Sequence, residues 1–236
     1  MPVAMPSSEL FERISKGQQE FDSIGLQYAD LSGKSFEGLK FRNCKFYFVS
    51  MRHSRLKNVI FENCEFFFSS FGSSEFQNAE FLRCKMEYSG GTESKFRDSR
   101  MISTELSWHS FIDADLSGLE MKNCTEFHVI RSVSELTSSL AEKAMEELQP
   151  VISKLDFDMR EKVKAFMETF AKRYSMKIPE VSSQKTKNKY GESGSSARLD
   201  GYRAFDALID TAIAAYSRKS PYKGKSGIYE AKPNYR

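Results

Sequence analysis

The sequence predicts a mainly β solenoid with helical ends, and three observations predict it. From Phe21 onward every fifth residue is large and apolar: Phe21, Leu26, Leu31, Phe36, Phe41, Phe46, Met51, Leu56, Phe61, Phe66, Phe71, Phe76, Phe81 and Met86, then, after Gly91, Phe96, Met101, Leu106, Phe111, Leu116 and Met121. Two residues before most of these stands a small residue, among them Ala29, Cys44, Val49, Ser54, Val59, Cys64, Ser69, Ser74, Ala79, Cys84, Ser89, Ser94, Ser99, Thr104, Ala114 and Cys124. Twenty Phe against one Trp is a packing bias that asks for a repeated slot. A helix would repeat apolar residues every ~3.6 residues and a strand every second one, so neither period fits.

A chain that turns one large and one small side chain inward, and three outward, turns a corner every five residues. Four corners close a coil of twenty residues, and coils stack at the strand spacing of ~4.8 Å. One coil cannot bury its own interior; stacking makes the core continuous.

The elements follow in order. Residues 1–20 form an N-terminal cap, with a helix over Ser8 to Lys16 that turns Leu10, Phe11 and Ile14 to one side and stops at Gly17. Residues 21–126 are the solenoid. Lys34, Leu39, His109 and Leu119 are too large for the small slot and Gly91 leaves a large slot empty, so a bulge is expected at Ser89-Gly90-Gly91. Residues 127–175 are helical: Ser132-Val133-Ser134-Glu135 reads as a capping box opening a helix with Leu136, Leu140, Ala144, Leu148 and Val151 on one face. Pro150 bends or divides it. A second helix from Asp158 turns Met159, Val163, Phe166, Met167, Phe170 and Tyr174 inward. Residues 176–195 are a polar linker, 196–218 a helix carrying Leu199, Tyr202, Phe205, Ile209, Ile213 and Tyr216, and 219–236 a basic tail.

The repeat resembles the pentapeptide repeat family, whose consensus is A-(D/N)-L-x-x. Ala29-Asp30-Leu31-Ser32-Gly33, Ala79-Glu80-Phe81 and Ala114-Asp115-Leu116-Ser117-Gly118 match it best. That resemblance implies a right-handed four-sided β-helix. It also implies a protein that docks on or inhibits a macromolecular target, since well-known members resemble B-form DNA and occupy the DNA groove of type II topoisomerases.

Three features bear on function. Cys44, Cys64, Cys84 and Cys124 share one inner column with Ile24 and Thr104, twenty residues apart, which is no zinc spacing; they read as small buried hydrophobes. An outer column is aromatic instead of polar: Tyr28, Phe48, Phe68, Tyr88 and Trp108, with His128 next in register and Tyr47 and Phe67 beside it. Such a patch marks an interface, either with the chain's own helices, or with a partner or a second copy; these seven aromatics are the candidate partner-binding residues. The third feature is charge. Phe21 to Thr125 carries thirteen Lys plus Arg and fourteen Asp plus Glu, basic in the first coils and acidic later, so no uniformly acidic, DNA-like face is visible.

No phosphate loop, nucleophile elbow or metal spacing stands out, and His53, His109 and His128 are scattered. A non-enzymatic interaction module without metal or cofactor is expected, with a homodimer built through the stripe and C-terminal helices as the alternative. Direct nucleic-acid binding is expected only through the basic tail. With no run of eighteen apolar residues and no secretory leader pattern, a cytoplasmic protein with reduced thiols is expected.

Overall fold

The computed structural model describes residues 2–132 and residue 135. A short strand, Val3–Ala4, and a helix, Ser7–Ser15, precede a solenoid of parallel strands. Taken in chain order around the coil, the first side stacks Glu20–Asp22, Lys40–Arg42, Ile60–Glu62, Glu80–Leu82, Ser99–Ile102 and Leu119–Lys122. The second side stacks Ile24–Gln27, Lys45–Tyr47, Glu65–Phe67, Lys85–Glu87, Glu105–Ser107 and Thr125–Phe127, with Val3–Ala4 added at its N-terminal edge. The third side is a line of single bridges, Asp30 to Ser50, Ser70, Gly90, Ser110 and Ile130. The fourth stacks Ser35–Glu37, Arg55–Lys57, Glu75–Gln77 and Lys95–Arg97.

Register is strictly twenty: Phe21 opposes Phe41, Phe41 opposes Phe61, Phe61 opposes Phe81 and Phe81 opposes Met101. The inward rings therefore stack, with centroids 5.3, 5.4 and 5.1 Å apart from Phe21 through Phe41 and Phe61 to Phe81. Phe46 and Phe66 lie 4.7 Å apart and Phe76 and Phe96 4.6 Å apart in two further columns. Stacked pairs at these distances add about 1 kcal/mol each beyond the area they bury. The small inner residues are satisfied as well as packed. Cys44, Cys64, Cys84, Thr104 and Cys124 each donate to the carbonyl of Phe21, Phe41, Phe61, Phe81 or Met101 in the coil before. Ser54, Ser69 and Ser74 do the same to Leu31, Phe46 and Met51, so buried hydroxyls and thiols cost little here.

The corners are made by left-handed backbone. Almost every fifth residue from Ser23 to His128 has φ between 47° and 67°, Gly33 and Gly38 included. Corner amides still bond to the next coil, as from Asn43 N–H to the Glu62 carbonyl at 2.9 Å, so the ladder runs on through the turns. Asn43, Asn58, Asn63, Asn78 and Asn123 occupy many of these positions, the residue type that tolerates this conformation best after glycine.

Several expectations are corrected at individual positions. No bulge forms at Ser89-Gly90-Gly91: Gly90 bridges Ser70 and Ser110, and the Gly91 amide bonds to the Ser110 carbonyl at 2.7 Å. The Phe111 ring and Ser94 hydroxyl crowd the space a side chain at Gly91 would enter, which keeps the coil closed. His109 and Leu39 stay in the core, at 1% and 3% exposure. Lys34 does not: in the first coil it leaves the slot by the open end and sets its ammonium 5.3 Å over the Phe11 ring.

The helix starts at Ser7 and ends at Ser15, with Gly17 (φ 88°) bonding back to Ile14. It buries Leu10 completely against the first coil. At the other end the inner slots hold Glu126 and Arg131, which pair at 2.6 Å above the last coil. The Ser132 hydroxyl donates to the Glu135 carboxylate, which also accepts from the Arg131 amide. The helices, linker and tail expected beyond residue 135 lie outside the described residues.

Candidate functional site

The corner between the second and third sides is unlike the other three. Elsewhere the left-handed positions hold Ser, Asn, Asp, Gly, Arg, His or Glu; here they hold Tyr28, Phe48, Phe68, Tyr88, Trp108 and His128, at φ 50°, 55°, 47°, 48°, 52° and 52°. Bulky residues are outliers in this region, where a side chain on Cβ crowds the following carbonyl at about 1–2 kcal/mol per residue. The rings form one ladder. Tyr28 and Phe48 are 5.1 Å apart, Phe48 and Phe68 5.1 Å, Phe68 and Tyr88 5.4 Å, Tyr88 and Trp108 6.3 Å, and Trp108 and His128 4.2 Å, all stacked.

Tyr47 and Phe67, outward on the second side, brace the ladder edge-on. Phe67 lies 4.7 Å from Phe68 and 6.0 Å from both Phe48 and Tyr88. Tyr47 meets Phe67 at 5.7 Å and donates its hydroxyl to Glu65 at 2.7 Å, where Lys45 also pairs at 2.8 Å. Burial, then the neighbouring Glu65 carboxylate, holds the Tyr47 phenol above its usual range. The structure thus brings all seven candidate aromatics into one contiguous surface. Tyr28, Tyr47, Phe67 and Trp108 are half-buried in it, while Phe48, Phe68 and Tyr88 are buried.

The remaining candidates are dispersed. His53 is exposed at a corner, and His109 is buried against Phe111 with ring centroids 4.4 Å apart. Burial, with Arg131 adding to it, pulls the His109 imidazole down to about 3, and its Nδ1 has no hydrogen-bond partner. Hydrogen bonding to Cys64 and then burial push the Cys44 thiol far above its ordinary range. All four cysteines are free thiols. Among the described residues no three His, Cys, Asp or Glu converge as metal ligands, and no helix is long and apolar enough to cross a membrane.

Charge is cancelled locally along the rod. On the first side Arg42 pairs with Glu20 at 3.2 Å and Glu62 at 3.3 Å, and Arg100 with Glu80 at 2.6 Å. On the fourth, Lys57 pairs with Glu37 at 2.7 Å, and Arg55 and Lys95 both reach Glu75. Opposite charges on successive coils leave no side of one sign.

Fold and surface together define a repeat solenoid that offers a long face and a filled interior. Residues 26–58 match the family model of the pentapeptide repeats, in 8 copies, and the described rod around them is a solenoid of parallel strands. It is similar to the crystal structure of a pentapeptide repeat protein, Rfr23, from the cyanobacterium Cyanothece 51142, at 9% identity and TM-score 0.33, over 53% of this chain and 98% of that one. A trypsin-treated form of QnrB1, a plasmid-mediated fluoroquinolone resistance protein, is similar at 15% identity and TM-score 0.25, over 55% and 87%. HetL, involved in heterocyst differentiation regulation in the cyanobacterium Nostoc sp. strain PCC 7120, is similar at 12% identity and TM-score 0.15, over 53% and 94%. None of the curated proteins compared with the chain matches it.

Proposed function

We propose that this protein is a non-enzymatic interaction module whose contact surface is the aromatic corner formed by Tyr28, Tyr47, Phe48, Phe67, Phe68, Tyr88 and Trp108. The observation that carries this reading is the concentration of bulky rings at one corner, in backbone positions that the other corners give mostly to Ser, Asn, Asp or Gly. A strained, specialised column in an otherwise regular repeat points to a role beyond folding. Stacked aromatics braced by Phe67 offer rigid apolar area, which favours a protein partner bound by packing.

The target class we favour is a component of a nucleic-acid-processing machine, on the family resemblance alone. Occupation of a topoisomerase groove by DNA mimicry needs an acidic face, and the paired charge ladders weigh against it. The test is affinity capture from nuclease-treated lysate with full-length protein and with Phe67→Glu, which keeps the polar-outward pattern of the second side. A partner held at high salt by the native chain and lost by Phe67→Glu supports the reading. Capture that vanishes with nuclease, or is equal for both proteins, overturns it.

A further inference from the structure

Outward charges on the strands alternate in sign from coil to coil. Lys45, Glu65, Lys85 and Glu105 make one such column, and Arg55, Glu75, Lys95 and Asp115 another. Where an uncharged residue interrupts a column on the first side, the charges on either side of it are opposite. Ile60 stands between Lys40 and Glu80, and Leu82 with Ile102 between Glu62 and Lys122. Gln77 on the fourth side breaks the pattern, because its register neighbours are Lys57 and Arg97, one coil away on each side. Lys57 has its acid in the coil before, Glu37 at 2.7 Å. Among the described residues Arg97 enters no ion pair. Asp115 accepts from the Ser117 hydroxyl at 2.6 Å and amide at 3.1 Å instead, with Arg97 and Lys95 contributing from outside pairing distance.

A cleft of about 230 Å³ opens at this point. Phe36, Leu56 and Phe76 floor it, and since their side chains are buried in the core, their peptide groups form the floor. Lys57, Gln77 and Arg97 line it together with Glu37, Arg55 and Glu75. Glu75 is taken by Arg55 at 3.6 Å and Lys95 at 3.9 Å. Three cations against two acids leave the lining one positive charge in excess, and the excess sits at Arg97.

We propose that this cleft is an oxyanion-binding site, in which a phosphate or carboxylate group of a small molecule stands where the charge column lacks its acid, between Lys57 and Arg97. Two coil steps separate these residues by about 9.6 Å at ~4.8 Å each. A group at the level of Gln77 is then about 5 Å along the rod from either one, within reach of both long side chains. The Arg97 fork can give such a group two parallel N–H bonds, Lys57 adds a point charge, and the Gln77 amide adds a neutral donor. An acid at position 77 would complete the column and occupy the site from within; glutamine keeps a donor there and leaves out the charge. No residue of the aromatic corner lines the cleft, so this inference stands apart from the interaction reading.

The test is a titration of full-length, isotope-labelled protein with sodium phosphate, followed by amide chemical shifts, with sodium chloride at equal ionic strength as reference and sodium acetate as the carboxylate probe. Saturable shifts at Lys57, Gln77 and Arg97 in the low millimolar range are expected with phosphate and absent with chloride. The same response to acetate assigns the site to oxyanions in general, and a response to phosphate alone assigns it to phosphate. Gln77→Glu and Arg97→Gln change exposed side chains and are each expected to weaken binding at least tenfold. Arg83→Gln, an exposed arginine outside the cleft, is expected to leave it unchanged. Shifts that do not saturate, that chloride reproduces, or that survive in Gln77→Glu overturn the proposal, as does an equal loss in Arg83→Gln.

Discussion

His109 occupies an inner slot that Ala29, Val49, Ser69 and Ser89 fill in earlier coils, and the room for its ring comes from Gly91 in the coil below, into which Phe111 leans. An imidazole at 1% exposure with its folded value near 3 stays neutral, while in the unfolded chain it protonates around 6.5. The unfolded state therefore takes up a proton that the native state refuses, so stability holds above the unfolded value and declines as pH falls towards the folded one. Between pH 7 and pH 5 the loss is about 2 kcal/mol. Denaturant titrations at the two pH values should show it, and His109→Val should remove most of the difference; an equal slope in the variant would refute the assignment. Phe61 and Glu80 offer a second contrast. Phe61→Ala deletes a ring stacked on both neighbours and should cost about 3–5 kcal/mol, whereas Glu80→Ala breaks one half-exposed ion pair and should cost under about 1 kcal/mol. The inward identity of Phe61 was readable from the five-residue period. The Gly91–His109 compensation was not, because it depends on which slots meet across coils, and two misfits considered singly pointed to a bulge.

Corners and columns are the elements on which this molecule is built, and the sequence shows the two unequally. Inner columns follow from period and volume alone. The left-handed corners had a signal in the recurrence of Asn at 43, 58, 63, 78 and 123, but their φ values belong to the backbone and three outward residues per repeat look alike without them. That is why the aromatic column read only as outward, with its burial left open, and not as a set of left-handed corners in which Phe48 and Phe68 are buried. The strand at Val3–Ala4 was missed because a two-residue strand in the short stretch between Pro2 and Pro6 carries no periodicity; its pairing with Ile24 and Gly25 comes from the open edge it covers. Backbone conformation yields a direct test: Asn78→Val places a β-branched residue at φ 50° and should cost about 1–2 kcal/mol, while Phe68→Asn should leave the solenoid folded by circular dichroism. For the cysteine column, Cys44, Cys64 and Cys84 should react with a thiol reagent only after denaturant is added. Cys124 is half-buried in the last coil and should react first. Rapid modification of Cys64 in native protein would contradict its place in the core.

Taken as one body, the solenoid draws its stability from stacked apolar columns and satisfied inner hydroxyls, with surface charge contributing little. Exposed pairs such as Lys57 with Glu37 give at most about 1 kcal/mol each and are screened by salt. Melting midpoints in low and high salt should accordingly differ by only a few degrees; a collapse in high salt would mean that the ladders carry the fold. Each coil touches only its neighbours, so a defect stays local until a column is interrupted. The strict register of twenty has a consequence for how such a chain can change length. Inserting one residue between Phe61 and Phe81 turns every later inward side chain outward, whereas inserting or deleting a whole coil leaves each remaining residue with the same kind of neighbour. The molecule can grow or shrink over generations only in whole steps, and each step lengthens or shortens the aromatic corner by one ring.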